Sequence, residues 1–301
     1  MTKYVQVLGE EGKAPTIRLN DGYNIPLLGL GTYGSKDDIA KMRQTIKWAV
    51  EAGYRHIDTA ALYRNEDQIG LGLADVFEEG IVRREDIFLT TKLWNDKHGR
   101  DQVVPALKES LEKLKLDYVD LYLIHSPEAE KSDGTPADID ILETWKGMEE
   151  CKRLGLARSI GVSNFDIDQI DRIISKGKVP PAVNQIEVHP SFTQEDLVQN
   201  CQLRNITVTA YSPFGFLVSR RNKNSPPPKH DDPVLTDIAK KYNKTTTQVV
   251  LRYLIDRYMI PIPKSTTQKR IQQNIDVFDF RLTDDDINAI NKFNSNSSIF
   301  G

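Results

Sequence analysis

The sequence lacks the features that mark membrane, disulfide-bonded and nucleic-acid-binding proteins. Its 301 residues include only two cysteines, Cys151 and Cys201, in helical-looking sequence, which indicates a reducing compartment and gives no metal-ligand spacing. No apolar run approaches the roughly 18 residues of a membrane span, and residues 1–4 lack the apolar core of a signal peptide. Lys plus Arg total 40 against 43 Asp plus Glu, so neither nucleic acid nor an anionic membrane is expected as a partner. We therefore expect a cytoplasmic protein.

Two kinds of apolar segment alternate along the chain. Residues 69–77, 103–114 and 139–154 have apolar side chains at helical spacing, and a short apolar run follows each. Strands that alternate with helices pair in parallel through right-handed crossovers. The length suits an α/β barrel formed by one domain, residues 1–301. Before the barrel, residues 16–19 and 24–27 flank an Asp-Gly turn and predict a hairpin.

The glycine pattern Gly29-x-Gly31-x-x-Gly34 matches the dinucleotide fingerprint of doubly wound folds. A strand precedes it, and Asp58 ends the second strand, where a ribose-binding acid would lie. However, the next helix is expected to begin only near Asp37, so its N-terminus is not offered directly to a pyrophosphate. Strands and helices also continue beyond the length of a six-stranded nucleotide-binding domain. We interpret these glycines as a tight rim that cofactor or substrate approaches.

Four polar side chains lie at or just after the ends of predicted buried strands. Asp58, Lys92 and His125 end three apolar runs, and Tyr63 follows the first of them. In a barrel of parallel strands these ends share one rim. An ammonium stabilises a nearby phenolate, and a buried carboxylate keeps that ammonium charged and in place. We therefore expect Tyr63 to donate a proton, with His125 bound to the oxygen that receives it.

These residues carry a resemblance to the aldo-keto reductase superfamily. The matching segments are His-Ile-Asp-Thr-Ala-x-x-Tyr at 56–63, followed by Asn-Glu, then Thr-Thr-Lys-Leu-Trp at 90–94 and Leu-Ile-His-x-Pro at 123–127. The likeness extends from Gly29 to the last helix. It implies a (β/α)8 TIM barrel with an N-terminal β-hairpin, extra helices and rim loops. It also implies catalytic roles for Asp58, Tyr63, Lys92 and His125, and a monomer.

The resemblance implies NADPH as cofactor. Amides at a rim can hold a carboxamide, and a flat aromatic can stack on a heteroaromatic ring. By resemblance to the family, Ser163, Asn164 and Gln185 would bind the nicotinamide amide and Tyr211 would stack on its ring. Lys264, Ser265 and Arg270 form an anion site at a helix start and match residues that bind the adenosine 2′-phosphate. The full cofactor set is Gly31, Thr32, Ser163, Asn164, Gln185, Tyr211, Ser212, Phe214, Lys264, Ser265, Thr266, Arg270, Gln273 and Asn274.

The substrate pocket is expected to be open. Tyr33, Trp94 and Ser126 are its aligned wall residues, and Ser126 stands where aldose reductases have a tryptophan. The polar loop 126–138 would shape the pocket, and loop 214–232 would fold over the cofactor. In relatives an acid and a lysine join across the pyrophosphate, but Val218 and Gly34 align with them here. The polar tail from residue 294 is shorter than in many relatives, which favours bulky substrates.

The resulting hypothesis is NADPH-dependent reduction of aldehydes or ketones. His125 favours carbonyl reduction, because relatives that reduce steroid carbon-carbon double bonds carry a glutamate there. Several segments resemble insect members, some of which reduce the 3-keto group of ecdysteroids. Two alternatives remain: a non-catalytic NADPH-binding or structural barrel, and NAD-linked alcohol oxidation.

Overall fold

The computed structural model describes residues 14–218 and 224–300. Within them, strands and helices alternate as the sequence pattern predicts. The strands are β1 Thr16–Arg18, β2 Asn24–Pro26, β3 Leu30–Gly31, β4 His56–Asp58, β5 Phe88–Leu93, β6 Val119–Ile124, β7 Ala157–Ser163, β8 Val183–Glu187, β9 Thr207–Tyr211 and β10 Met259–Pro261. The helices are α1 Lys36–Glu51, α2 Glu66–Glu78, α3 Arg100–Leu114, α4 Ile141–Arg153, α5 Ile167–Lys176, α6 Glu195–Leu203, α7 Pro233–Tyr242, α8 Thr246–Asp256, α9 Gln268–Ile275 and α10 Asp284–Asn291.

Strands β3 to β10 form an eight-stranded parallel sheet in sequence order. The sheet closes on itself, because Gly29 N donates to Pro261 O at 3.1 Å and Gly31 N donates to Pro263 O at 3.0 Å. A Cβ on Gly31 would lie 2.5 Å from Ile262 O, so the seam requires glycine there. The fold is the (β/α)8 barrel that the resemblance implies.

The N-terminal hairpin of β1 and β2 is confirmed. The two strands pair antiparallel, and Gly22 takes a φ of 96° in the turn between them. Leu19 and Ile25 of the hairpin join a buried cluster with Leu121 and Ile260. This cluster includes side chains of four barrel strands, β5, β6, β8 and β10, so the hairpin packs against the barrel.

Local signals place the start and end of α1. Ser35 caps the helix, and its hydroxyl accepts from Asp38 N at 3.3 Å while Asp38 accepts from Ser35 N at 2.9 Å. Gly53 follows with a φ of 104°, and Tyr54 N bonds Ala49 O, which ends the helix and starts the path to β4. The helix therefore begins after Gly34, as expected. None of the helices in the described parts of the chain is long and apolar enough to cross a membrane.

Candidate active site

The barrel register brings three of the predicted catalytic residues to one rim. Asp58 is the last residue of β4, Lys92 lies one residue before the end of β5, and His125 follows β6. Asp58 pairs with Thr90 and Lys92 pairs with Leu123, so consecutive strand ends stand side by side. Tyr63 ends a 3₁₀ turn that leaves β4.

Lys92 is the centre of the cluster, and its ammonium is satisfied by three oxygen atoms. Its Nζ donates to Asp58 Oδ1 at 2.6 Å, to Thr59 O at 2.9 Å and to the Tyr63 hydroxyl at 3.2 Å. The side chains of Lys92 and Asp58 are only 1% and 2% exposed. A buried charge of this kind needs a paired and hydrogen-bonded partner, and Asp58 supplies it.

The protonation states follow from burial and from these charges. Burial alone would lower the pKa of Lys92, but Asp58 and Tyr63 outweigh it and raise the pKa, so the ammonium persists. Burial raises the pKa of the Tyr63 hydroxyl, and Lys92 opposes that rise without cancelling it. Tyr63 therefore carries its proton at neutral pH, as a proton donor must.

The second oxygen of Asp58 is bound by Gln185, which the resemblance places at the nicotinamide carboxamide. Gln185 Nε2 donates to Asp58 Oδ2 at 2.7 Å. The expected role of Gln185 was to hold a carboxamide, yet one of its amide hydrogens is committed to Asp58. No sequence signal shows this contact, because the two residues are 127 positions apart and meet only across the barrel.

The loop that carries Tyr63 is fixed by Asn65 and two threonines. Thr59 Oγ1 donates to Asn65 Oδ1 at 2.8 Å, and Asn65 Nδ2 donates to Thr32 O at 2.8 Å. Thr32 Oγ1 in turn donates to Asp58 O at 2.9 Å. All three side chains are buried, so the position of the phenol follows from the end of β4 and from the β3 rim.

His125 faces the same space as Tyr63. Its ring makes edge contacts with Tyr63 at 5.8 Å and with Trp94 at 5.1 Å between centroids. Its Nδ1 is buried without a hydrogen-bond partner among the described residues. Burial and then Lys92 lower the pKa of His125 to about 3, so the imidazole is neutral at physiological pH. A neutral imidazole can hydrogen-bond a carbonyl oxygen without competing for its proton.

The residues expected to bind the nicotinamide form a connected network. Tyr211 OH donates to Asn164 Oδ1 at 2.8 Å, and Asn164 Nδ2 donates to His125 O at 2.9 Å. Ser163 Oγ donates to Gln185 O at 2.8 Å. The network ties β7, β8 and β9 to the residue after β6, so it can present the Tyr211 ring at a fixed position.

The residues expected to bind phosphate lie together after β10. Lys264 and Arg270 are exposed, and Ser265 and Asn274 are buried. Helix α9 begins at Gln268, so Lys264 and Ser265 precede it and Arg270 and Asn274 lie within it. Ser265 Oγ accepts from Thr267 N at 3.1 Å and so shapes the helix entry. Asp38, which no sequence pattern indicates as part of this group, also lies here, and its Oδ2 is 2.7 Å from Lys264 Nζ.

A cavity of about 1300 Å³ connects these groups. Ligand pockets are usually smaller, about 300 to 1,000 Å³, so this one has room for a dinucleotide together with a substrate. The lining includes Gly31, Thr32, Tyr33, Asp58, Tyr63, Trp94, His125, Ser126, Ser163, Asn164, Gln185, Tyr211, Ser212, Phe214, Lys264, Ser265, Arg270, Gln273 and Asn274. Two predicted catalytic or cofactor residues are absent from that lining: Lys92, which lies beneath it, and Thr266, which donates to Asp38 Oδ1 at 3.1 Å.

The pocket mouth includes the two positions that align with the acid and the lysine of relatives. Gly34 and Val218 both line the cavity, and neither can form the acid–lysine pair found in relatives. The loop expected to cover the cofactor is described at 214–218 and 224–232, where Phe214, Leu217 and His230 line the cavity. Its residues 219–223 lie outside the described residues.

The tail does not leave the pocket as open as its length suggested. Ser298 Oγ and Ile299 N donate to the two oxygens of Glu187, both at 2.7 Å. Phe300 then lies against Tyr211, with ring centroids 5.8 Å apart, and joins the cavity lining. The expectation missed this contact because Glu187 is a buried strand residue whose availability cannot be seen in the sequence.

The chain resembles known proteins in both sequence and fold. Residues 27–295 match the model of the Aldo/keto reductase family. Aldo-keto reductase AKR2E4 of Bombyx mori is 58% identical over 291 residues, covering 95% of this chain and 94% of that protein. Its crystal structure in complex with NADP superposes with a TM-score of 0.93 at 59% identity, covering 95% of this chain and 94% of that one. Estradiol 17 beta-dehydrogenase 5 of Mus musculus is 42% identical over 304 residues, covering 95% of this chain and 93% of that protein.

Proposed function

Since this chain belongs to the aldo/keto reductase family and is an NADP-dependent oxidoreductase, we propose that it reduces a carbonyl substrate with Tyr63 as the proton donor. The observation that carries the proposal is the buried Asp58–Lys92 pair with the Tyr63 hydroxyl 3.2 Å from the ammonium. Burying such a cluster costs desolvation free energy, and apolar residues of similar volume would pack at least as well. A role in proton transfer explains why the charged residues are present.

The proposed mechanism assigns one task to each residue. NADPH, when bound, supplies the hydride that the carbonyl carbon accepts. Tyr63 donates its proton to the carbonyl oxygen as negative charge develops there. Lys92 stabilises the resulting phenolate, and Asp58, held by Gln185, keeps Lys92 charged and in place. The phenol then regains a proton from solvent.

His125 is proposed to orient the substrate rather than to donate a proton. Its low pKa keeps it neutral, and its edge contacts with Tyr63 and Trp94 hold the ring beside the phenol. A neutral N–H directed at the carbonyl oxygen selects a carbonyl group over a carbon-carbon double bond.

The cofactor residues are proposed to act at two ends of the cavity. Tyr211 would stack on the nicotinamide ring, with Ser163, Asn164 and Gln185 at its carboxamide. Lys264, Ser265, Thr266 and Arg270 would hold the 2′-phosphate, with Gln273 and Asn274 at the adenine and Gly31, Thr32, Ser212 and Phe214 along the path between the ends. Support comes from the cavity, which reaches both groups, and from the N-terminus of α9 beside the cations.

We propose an ecdysteroid 3-keto group as the substrate class. A steroid needs a wide apolar pocket, and Tyr33, Trp94, Leu62 and Phe300 give the cavity large apolar walls. Relatives with 58% and 42% identity are an insect aldo-keto reductase and a protein named for estradiol. The similarity to the protein named for estradiol supports a steroid-sized substrate.

The test is a substrate panel. Purified protein would be given NADPH or NADH with simple aldehydes, simple ketones, vertebrate 3-ketosteroids and a 3-keto ecdysteroid, and cofactor oxidation would be followed by absorbance. We expect the highest kcat/KM for the ecdysteroid and a preference for NADPH. A preference for small aldehydes with no ecdysteroid turnover would remove the substrate proposal and leave the carbonyl reductase.

A non-catalytic barrel that binds NADPH is the competing function, and NAD-linked alcohol oxidation is another. The complete cluster of Asp58, Tyr63, Lys92 and His125 argues against the first. The cations near the adenosine end argue against the second. Cofactor binding without turnover on the whole panel would favour the first, and faster oxidation of alcohols with NAD would favour the second.

We further propose that the whole chain acts as one domain, as a monomer in the cytoplasm. Both cysteines are buried and free, which suits a reducing compartment where NADPH is regenerated. Sedimentation equilibrium combined with thermal unfolding should give the mass of one chain and a single transition. A dimer mass or two transitions would contradict this proposal.

A further inference from the structure

The rim site proposed for the cofactor phosphate contains an anion of the chain itself. Asp38, in the first turn of α1, accepts from Lys264 Nζ at 2.7 Å through Oδ2. Its other oxygen, Oδ1, accepts from Thr266 Oγ1 at 3.1 Å. Two of the donors proposed to face a phosphate are therefore already bound to a carboxylate.

The position of this carboxylate is fixed by its neighbours. Ser35 donates to Asp38 Oδ2 from both its backbone N at 2.9 Å and its Oγ at 3.0 Å. Gly34 makes room for the side chain, because a Cβ there would lie 2.6 Å from Asp38 Oδ2 and 2.7 Å from Asp38 Cβ. Burial would raise the pKa of Asp38, but the bonds from Lys264 and Ser35 outweigh it and lower the pKa to about 2. The carboxyl group of Asp38 is thus an anion at neutral pH.

We propose that Asp38 is a specificity-determining residue that weakens NADPH binding by competing with the 2′-phosphate for Lys264 and Thr266. This inference rests on the proposed function, in which Lys264 and Thr266 hold that phosphate. A cofactor without the phosphate leaves the Asp38–Lys264 pair undisturbed. Asp38 therefore weakens the binding of NADPH and not that of NADH, which reduces the ratio of the two affinities.

The size of the effect follows from the exposure of the pair. The side chains of Lys264 and Asp38 are 33% and 19% exposed, so solvent screens their attraction. Partly exposed ion pairs of this kind contribute modestly to binding equilibria, and we expect roughly a three- to tenfold change in affinity.

The test compares Asp38→Asn with the wild type by fluorescence titration of NADPH and NADH. The asparagine can still accept from Ser35 N, so the start of α1 is kept while the charge is lost. The Kd for NADPH should fall roughly three- to tenfold and the Kd for NADH should stay constant. An unchanged or higher Kd for NADPH would overturn the inference, the second result showing that Asp38 positions Lys264 for the phosphate.

Asp37→Asn is the matched control. Asp37 is exposed on the same helical turn and its loss removes the same charge one residue away. It should leave both Kd values close to the wild type, because adjacent helix positions point in different directions. An equal increase in NADPH affinity with Asp37→Asn would mean that the total negative charge at the start of α1 decides the affinity. That result would overturn the specific role of Asp38.

Lys264→Met separates this inference from the proposed phosphate site. The single variant should raise the Kd for NADPH and leave the Kd for NADH unchanged. Adding Asp38→Asn to it should then lower the Kd for NADPH only slightly. If Lys264→Met leaves NADPH binding unchanged, the proposed site is wrong and the inference falls with it. Two results would leave the phosphate site standing and contradict only the inference. In both, Lys264→Met raises the Kd for NADPH. In the first, Asp38→Asn alone does not lower that Kd, and in the second it lowers the Kd as much in the Lys264→Met background as in the wild type.

Discussion

At the scale of single residues, Lys92 links the buried carboxylate of Asp58 to the Tyr63 hydroxyl. Its ammonium has Asp58 on one side and the Tyr63 hydroxyl on the other, with a backbone carbonyl as third acceptor. Burial raises the pKa of Tyr63 and Lys92 limits that rise. The Tyr63 phenol is therefore protonated at neutral pH, and the nearby ammonium would stabilise the phenolate that forms when the proton passes to a developing alkoxide.

Lys92→Met is expected to reduce turnover while the cofactor still binds. Without the ammonium, nothing offsets the effect of burial, so the pKa of Tyr63 rises further and the phenol becomes a weaker acid. The loss of kcat should be at least about 10²-fold, the usual contribution of general acid catalysis. Steady-state kinetics and NADPH titration on the same preparation measure both quantities.

Lys97→Met, a change at a more exposed lysine five residues further on, is the control and should keep wild-type kinetics. Turnover of Lys92→Met close to that of the wild type would contradict the role of Lys92.

Asp58→Asn tests the electrostatic support of the cluster through stability. The asparagine oxygen can still accept from Lys92, but its NH2 group would face the NH2 group of Gln185, so two donors would meet. The buried ammonium of Lys92 also loses its countercharge. Removing one partner of a buried ion pair should lower the free energy of unfolding by about 3 kcal/mol, measurable by urea denaturation. The exposed Arg43–Asp75 pair offers a comparison, because Asp75→Asn should hardly move the midpoint. Equal effects at the two sites would show that Lys92 does not depend on Asp58.

At the scale of elements, the end of β8 joins the tail to the barrel. Glu187 accepts from His189 Nε2, Ser298 Oγ and Ile299 N, and Phe300 reaches Tyr211 beyond them. Burial would raise the pKa of Glu187, but these donors outweigh it and lower the pKa. The contacts therefore stabilise the docked tail above the ordinary glutamate pKa of about 4.3, and they are lost as pH falls through the depressed value.

Glu187→Gln is expected to loosen the tail. The neutral amide offers one acceptor oxygen where the carboxylate offers two, so Ser298 and Ile299 can no longer each donate to a separate oxygen. Loss of a hydrogen bond to a charged group should speed amide exchange at Ile299 roughly tenfold. Hydrogen–deuterium exchange of the C-terminal peptide at neutral pH measures it, with Ser298→Ala expected to give a smaller increase. Identical exchange in the wild type and Glu187→Gln would exclude Glu187 as the anchor.

At the scale of the whole molecule, periodicity and strand-end polarity predicted the barrel and the shared rim. The four candidate catalytic residues could be expected at one rim because each lies near the end of a recognisable buried strand or just after it. Contacts between distant segments could not be predicted. Gln185 meets Asp58 and Asp38 meets Lys264 only because the barrel closes, and Glu187 meets Ser298 of the tail from 111 positions away. Strand β3 is only two residues long, so sequence pattern alone could not define its bounds.

The proton-donor role of Tyr63 is tested most directly by measuring NADPH oxidation with Tyr63→Phe and the wild type on the best carbonyl substrate. The variant keeps the ring and its contacts with His125 and Tyr33 but lacks the proton. We expect kcat to fall by at least about 10²-fold, with an unchanged Kd for NADPH. Wild-type turnover by Tyr63→Phe would contradict the mechanism and require another donor at the rim.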